Sequence, residues 1–89
     1  MAYLTNQAYR LYPKHEEITE EEFRLTKSVY FARLNKMDYH SKMLTFRNTY
    51  HSKDNITWIK YHSYVYFVIA HNPGSIQEYY YYGKQIINN

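Results

Sequence analysis

Cysteine is absent from this 89-residue chain, which removes disulfide staples, thiolate metal ligands and cysteine nucleophiles together. Glycine and proline occur only twice each, so there is no linker and no glycine-rich loop to cradle a phosphate. No apolar run approaches the roughly 20 residues that span a bilayer. The opening residues Met1-Ala2-Tyr3-Leu4-Thr5 have neither the basic region nor the apolar stretch of a secretion signal. A cytoplasmic protein is expected, in the host cell if a phage encodes it. Nucleophile-elbow and zinc-protease motifs are missing as well. The five histidines, His15, His40, His51, His62 and His71, show no metal-ligand spacing. No metal or other cofactor is expected.

What the chain has in excess is tyrosine, thirteen residues in all, with Tyr79, Tyr80, Tyr81 and Tyr82 consecutive. A phenol ring is a large, stiff contact face with a hydroxyl at its rim, and it is enriched where surfaces recognise one another. A chain this short leaves roughly 40% of its unfolded area exposed, so some of these rings must face water, a partner or a second copy. The hydrophobic share of 45% and charged share of 21% are those of one ordinary folded domain spanning residues 1–89. The formal charge of +3 is compatible with nucleic acid without requiring it. Heavy use of Tyr, Asn, Lys and Ile is the bias of an AT-rich coding sequence, which fits low-GC bacteria and their phages and plasmids.

The clearest local signal is Ile18-Thr19-Glu20-Glu21-Glu22-Phe23. Thr19 and Glu22 form a capping box, flanked by Ile18 and Phe23 as a hydrophobic staple. Apolar spacing then predicts helix from 20 to about 36. Leu4, Ala8, Leu11 and Tyr12 predict a short helix before it, stopped at Pro13. From Met43 the period becomes two, and Ser52-Lys53-Asp54-Asn55 is a turn signal, so residues 43–61 are expected to form a hairpin. A two-residue turn there sets Leu44, Phe46 and Tyr50 on the face of Ile59 and Tyr61, opposite Arg47, His51, Trp58, Lys60 and His62.

Residues 64–70 read as a third strand, apolar on both faces. Only His62-Ser63 precedes it, which leaves either a tight hairpin or one long strand with a bulge. Ser75 to Glu78 forms a second capping box with Gly83 at a C-cap position, favouring a short helix, while tyrosine propensity and the alternation Glu78, Tyr80, Tyr82, Lys84, Ile86 favour a strand. The expected fold is α+β: one or two N-terminal helices on a three-stranded antiparallel sheet, with a short C-terminal helix or strand.

Three functions compete. First is a non-enzymatic binding module, an inhibitor or adaptor of the kind phages and mobile elements direct at host nucleases or defence systems. It would engage its protein partner through Tyr79, Tyr80, Tyr81 and Tyr82, and a homodimer is compatible with the same patch. Second is a single-stranded nucleic-acid-binding domain using Arg47, His51, Trp58, Lys60 and His62, since bases stack on rings while cations track the backbone. In that case Phe67 adjoins the platform, unless a terminal helix covers it and Trp58 as core. Third is a metal-independent ribonuclease toxin, in which Arg47, His51, Lys60 and His62 would supply base, acid and cation.

Overall fold

Thr19 Oγ1 accepts the Glu22 backbone N–H at 3.0 Å and opens the helix Glu20–Asn35, as the capping signal requires. The reciprocal half of the box does not form, because the Glu22 carboxylate turns away to the Lys84 ammonium, 2.9 Å distant. Ile18 and Phe23 enter one buried cluster, so the staple is made. The computed structural model describes residues 2–87. In chain order the elements are α1 (Ala2–Leu11), β1 (Glu16–Glu17), α2 (Glu20–Asn35), α3 (Tyr39–Thr49), β2 (Tyr50–Lys53), β3 (Ile56–Tyr61), β4 (Tyr64–His71) and β5 (Tyr79–Ile86).

The architecture is α+β, with three helices and one five-stranded antiparallel sheet among the described residues, in the order β1-β5-β4-β3-β2. Three expectations are corrected. Residues 43–49 are the second half of α3 rather than a strand. Asp38 caps that helix, its carboxylate accepting the Ser41 N–H at 2.9 Å, and Phe46 packs on Phe31 and Tyr50. That same amide bond holds the Asp38 carboxyl below its ordinary range. The period-two pattern of residues 43–50 was outweighed by a cap and by helix packing.

The second correction is to the short C-terminal helix that the capping residues favoured; the strand alternative is what forms, with Tyr79–Ile86 paired with β4 from His71↔Tyr79 to Tyr64↔Ile86. The capping residues ahead of it serve a turn instead: the Gln77 N–H donates to Ser75 Oγ and the Gly74 N–H to Glu78 Oε2. Gly83 is therefore mid-strand, opposite Phe67, and caps no helix. Third, the sheet has five strands and not three, because β5 joins it and Glu16–Glu17 adds a short edge beyond β5. The two-residue turn at Asp54-Asn55 and its register are as expected, with Tyr50 facing Ile59 and His51 facing Trp58. His62-Ser63 closes a tight hairpin, with His62 at φ 55 in the left-handed region that few non-glycine residues enter.

Helices cover both faces. On one, α1 lies along β4 and β5 and buries Leu4 and Ala8 against Phe67, Ile69 and Tyr81. On the other, α2 crosses from β5 to β3 and α3 packs beside it over β3 and β2, enclosing Phe23, Tyr30, Leu34 and Ile59. Phe67 is fully buried, stacked beneath Tyr12 at 4.1 Å and lying across Gly83. No helix among the described residues is long and apolar enough to cross a membrane.

Candidate functional site

Strand pairing separates the tyrosine run. Tyr79 and Tyr81 share the α1 face, while Tyr80 and Tyr82 share the α2 face, as period-two side chains must. Tyr81 is core, 5% exposed. His15 Nδ1 lies 2.7 Å from the Tyr12 carbonyl, which only accepts, so Nδ1 carries the proton. Nε2 is then the acceptor for the Tyr81 hydroxyl at 2.9 Å. Burial pushes the Tyr81 phenol up, with Glu17 and Tyr9 adding to it. Tyr81→Phe leaves the buried His15 Nε2 without a donor and is expected to cost about 2 kcal/mol. Thermal unfolding followed by circular dichroism should show Tm lowered by roughly 8–16 °C.

Tyr82 packs on Phe23, leaving Tyr79 and Tyr80 as the exposed members, 47% and 40%. They emerge on opposite sides of the sheet. Tyr80 donates to Glu78 Oε2 at 3.1 Å, and Tyr79 stacks with His71, which in turn meets the exposed ring of Tyr3.

The second candidate set is largely one surface. His51 and Trp58 pair across β2 and β3 on the α1 face, their rings near-parallel, 16° apart in plane at 5.3 Å. The Lys60 ammonium lies 5.4 Å from the Trp58 ring centre on that side. α1 lies over β4 and β5, so Trp58 packs on one side against the cluster that α1 covers and its other side, toward β2, has no helix along it. Trp58 is half-buried, while His51 and Lys60 are exposed. Phe67, by contrast, is sealed under Tyr12 and does not join the platform.

Arg47 stands exposed in the last turn of α3, three residues before β2, rather than on a strand. His62 is at the hairpin turn, four residues beyond Trp58, so His51 and His62 are separated by roughly 13 Å along the strand direction. That exceeds the reach of an acid and a base acting on one phosphate. Among the described residues no group of three or more His, Asp or Glu is placed to hold a metal ion.

Sheet order sorts charge. Glu16 and Glu17 form the β1 edge, and Glu20, Glu21 and Glu22 begin α2 beside β5, so five of the eight carboxylates gather at one side. Lys84 sits among them, bonded to Glu22 and 3.7 Å from Glu16, and the Glu22 bond holds its ammonium above the ordinary value. Residues 33–60 build the opposite side with six cations, Arg33, Lys36, Lys42, Arg47, Lys53 and Lys60, against only Asp38 and Asp54.

Sequence reasoning missed Lys53, which register puts on the Trp58 face, and a cleft on the opposite face, at the far end of β3, lined by Arg33 and Tyr61. Lys53 was legible from alternation, but the cleft needs three elements to meet and has no local signal. No protein family, curated protein or solved structure matches the chain, and the site is interpreted from its own geometry.

Proposed function

We propose that the chain is a non-enzymatic binding module whose ligand is single-stranded nucleic acid, held by His51, Trp58, Lys60, Lys53 and Arg47. The observation that supports this reading is the helix-free β2 side of that sheet face, where a stacked His51–Trp58 pair and the Lys60 ammonium lie on the cation-rich side of a charge-polarised molecule. Bases stack on exposed π-faces while ammonium and guanidinium groups follow the phosphates. The exposed outer ring of His51, backed by Trp58, offers the first such face. A cytoplasmic location suits this role.

Fluorescence anisotropy with a mixed-sequence single-stranded oligonucleotide tests it. With about three phosphate contacts, affinity should fall about 20-fold between roughly 50 and 200 mM salt. Trp58→Leu keeps apolar volume and removes the ring, and should weaken binding roughly tenfold with the circular dichroism spectrum unchanged. Absence of binding at low salt would refute the reading.

One observation favours a protein partner as a second reading. Ile76 is fully exposed, three and four residues ahead of the exposed Tyr79 and Tyr80 in the same turn-strand segment. An inhibitor or adaptor of mobile-element type would use that segment. Its partner should be lost from Ile76→Asp and Tyr79→Ala variants yet retained by Lys60→Glu.

A further inference from the structure

The cleft between α2, α3 and the free end of β3 has a volume of about 150 Å³. It exists because β2 pairs with β3 only from Ile56 to Ile59, so Lys60 and Tyr61 extend past the last partner and the final turn of α3 stands opposite them. Its floor is apolar, from Leu34 and Met37. Its rim carries Arg33 and His62, with Lys60 beside them on β3, and among the described residues no carboxylate lines it. Arg33 lies 5.5 Å from the Tyr61 ring centre, and among the described residues neither Arg33 nor Lys60 is ion-paired.

Two hydroxyls in the wall are already committed. Thr49 Oγ1 donates to the Thr45 carbonyl at 2.6 Å, so its contact of 2.7 Å with Tyr30 has the phenol as donor. Burial pushes the Tyr30 phenol up, with nearby Tyr50 adding to it and the Thr49 bond opposing. The phenol is therefore neutral, and the donors left to greet a ligand belong to the cationic rim. The volume is below that of pockets enclosing a whole nucleotide. The Arg33 guanidinium presents its charge at one point, as a single phosphomonoester requires, and not strung along a line as for successive phosphodiesters. Lys60 lines the cleft while its ammonium turns to the Trp58 ring on the other face, so the two sites meet across the end of β3. His62, in the left-handed turn that closes the β3–β4 hairpin, also lines the cleft, its ring 4.3 Å from that of Tyr61.

From these features we propose that the cleft receives the terminal phosphate of a nucleic-acid strand, a reading that rests on the nucleic-acid function proposed above. Three oligonucleotides of one sequence, 5′-phosphorylated, 3′-phosphorylated and hydroxyl-terminated at both ends, are compared by competition anisotropy. One phosphorylated form should bind about tenfold more tightly than the hydroxyl form, the worth of charge-assisted hydrogen bonds to a single group. Arg33→Gln, at an exposed position, should erase that preference and leave the hydroxyl form within about twofold, while Arg33→Lys restores part of it. Equal affinity for all three oligonucleotides overturns the proposal. If none binds, the strand-end assignment falls together with the function it rests on. An NMR titration with inorganic phosphate then separates the two failures: shifts confined to Arg33, Thr45 and His62 uphold an anion site in the cleft, and no shifts there remove it as well.

Discussion

Gly83→Ala is expected to destabilise the fold by about 3 kcal/mol, a fall in Tm of roughly 12–24 °C for a domain of this size. A Cβ on Gly83 would stand 2.5 Å from Phe67 Cζ, 2.8 Å from Cε1 and 3.0 Å from His15 Cδ2. None of the three can retreat easily. Phe67 is fully buried, held from above by the Tyr12 ring at 4.1 Å and from the side by His15 at 5.3 Å. His15 is itself tied to the Tyr12 carbonyl and the Tyr81 hydroxyl. The glycine is required here for space, since its φ is not in the left-handed region.

The same geometry makes the effect conditional on its neighbour. Phe67→Leu removes the ring atoms that a Cβ would strike, so the Gly83→Ala/Phe67→Leu double variant should be more stable than the sum of the two single losses. A double-mutant cycle from urea unfolding measures this. Strict additivity would show that the contact between Phe67 and Gly83 does not control the packing of α1 on the sheet.

Reversing charge at Arg47, Lys53 and Lys60 together, each to Glu, is expected to reduce affinity for single-stranded DNA by about two orders of magnitude at low salt. The salt slope should collapse in parallel. All three side chains are exposed, and among the described residues none takes part in an ion pair, so the folded state should survive with Tm little changed. A control reversal on the other side of the molecule, Glu20→Lys with Glu21→Lys, should leave binding unchanged or raise it. Equal losses from both reversals would mean that net charge alone, and not the Trp58 face, attracts the ligand.

The elements that could be read from the chain were those whose causes lie within a few residues. Thr19 meets the Glu22 amide three positions on, and α2 follows where the spacing predicts it. Asp54 adopts φ 58 in the expected two-residue turn, and the register of β2 on β3 follows from that turn. The basic-aromatic set was legible for the same reason, because alternation along a hairpin sets His51, Trp58 and Lys60 on one face.

Misreadings arose where two local signals competed and a distant partner chose between them. Residues 43–49 carry strand-like alternation, but Asp38 caps a helix there and Phe31 offers Phe46 a surface. Ser75 to Glu78 has the form of a capping box, yet β4 supplies a ladder to the tyrosines beyond it, and the whole length of β5 pairs. Glu16–Glu17 has no strand pattern of its own and is extended only because Lys84 and Gly83 lie beside it.

What the amino-acid order determined by itself is the start of α2, the turn after Lys53, the dependence on packing in a chain without cysteine, and an excess of phenolic rings over what a small core absorbs. The tertiary structure alone decided that Tyr81 is core while Tyr79 and Tyr80 are exposed, that five of the eight carboxylates gather at the β1–β5 side while the β2–β3 side carries six cations against two aspartates, and that Arg33, Lys60 and His62 line one cleft. The division follows from range: caps and turns are closed by atoms a few residues apart, whereas burial, charge segregation and clefts depend on which strand lies next to which across dozens of residues.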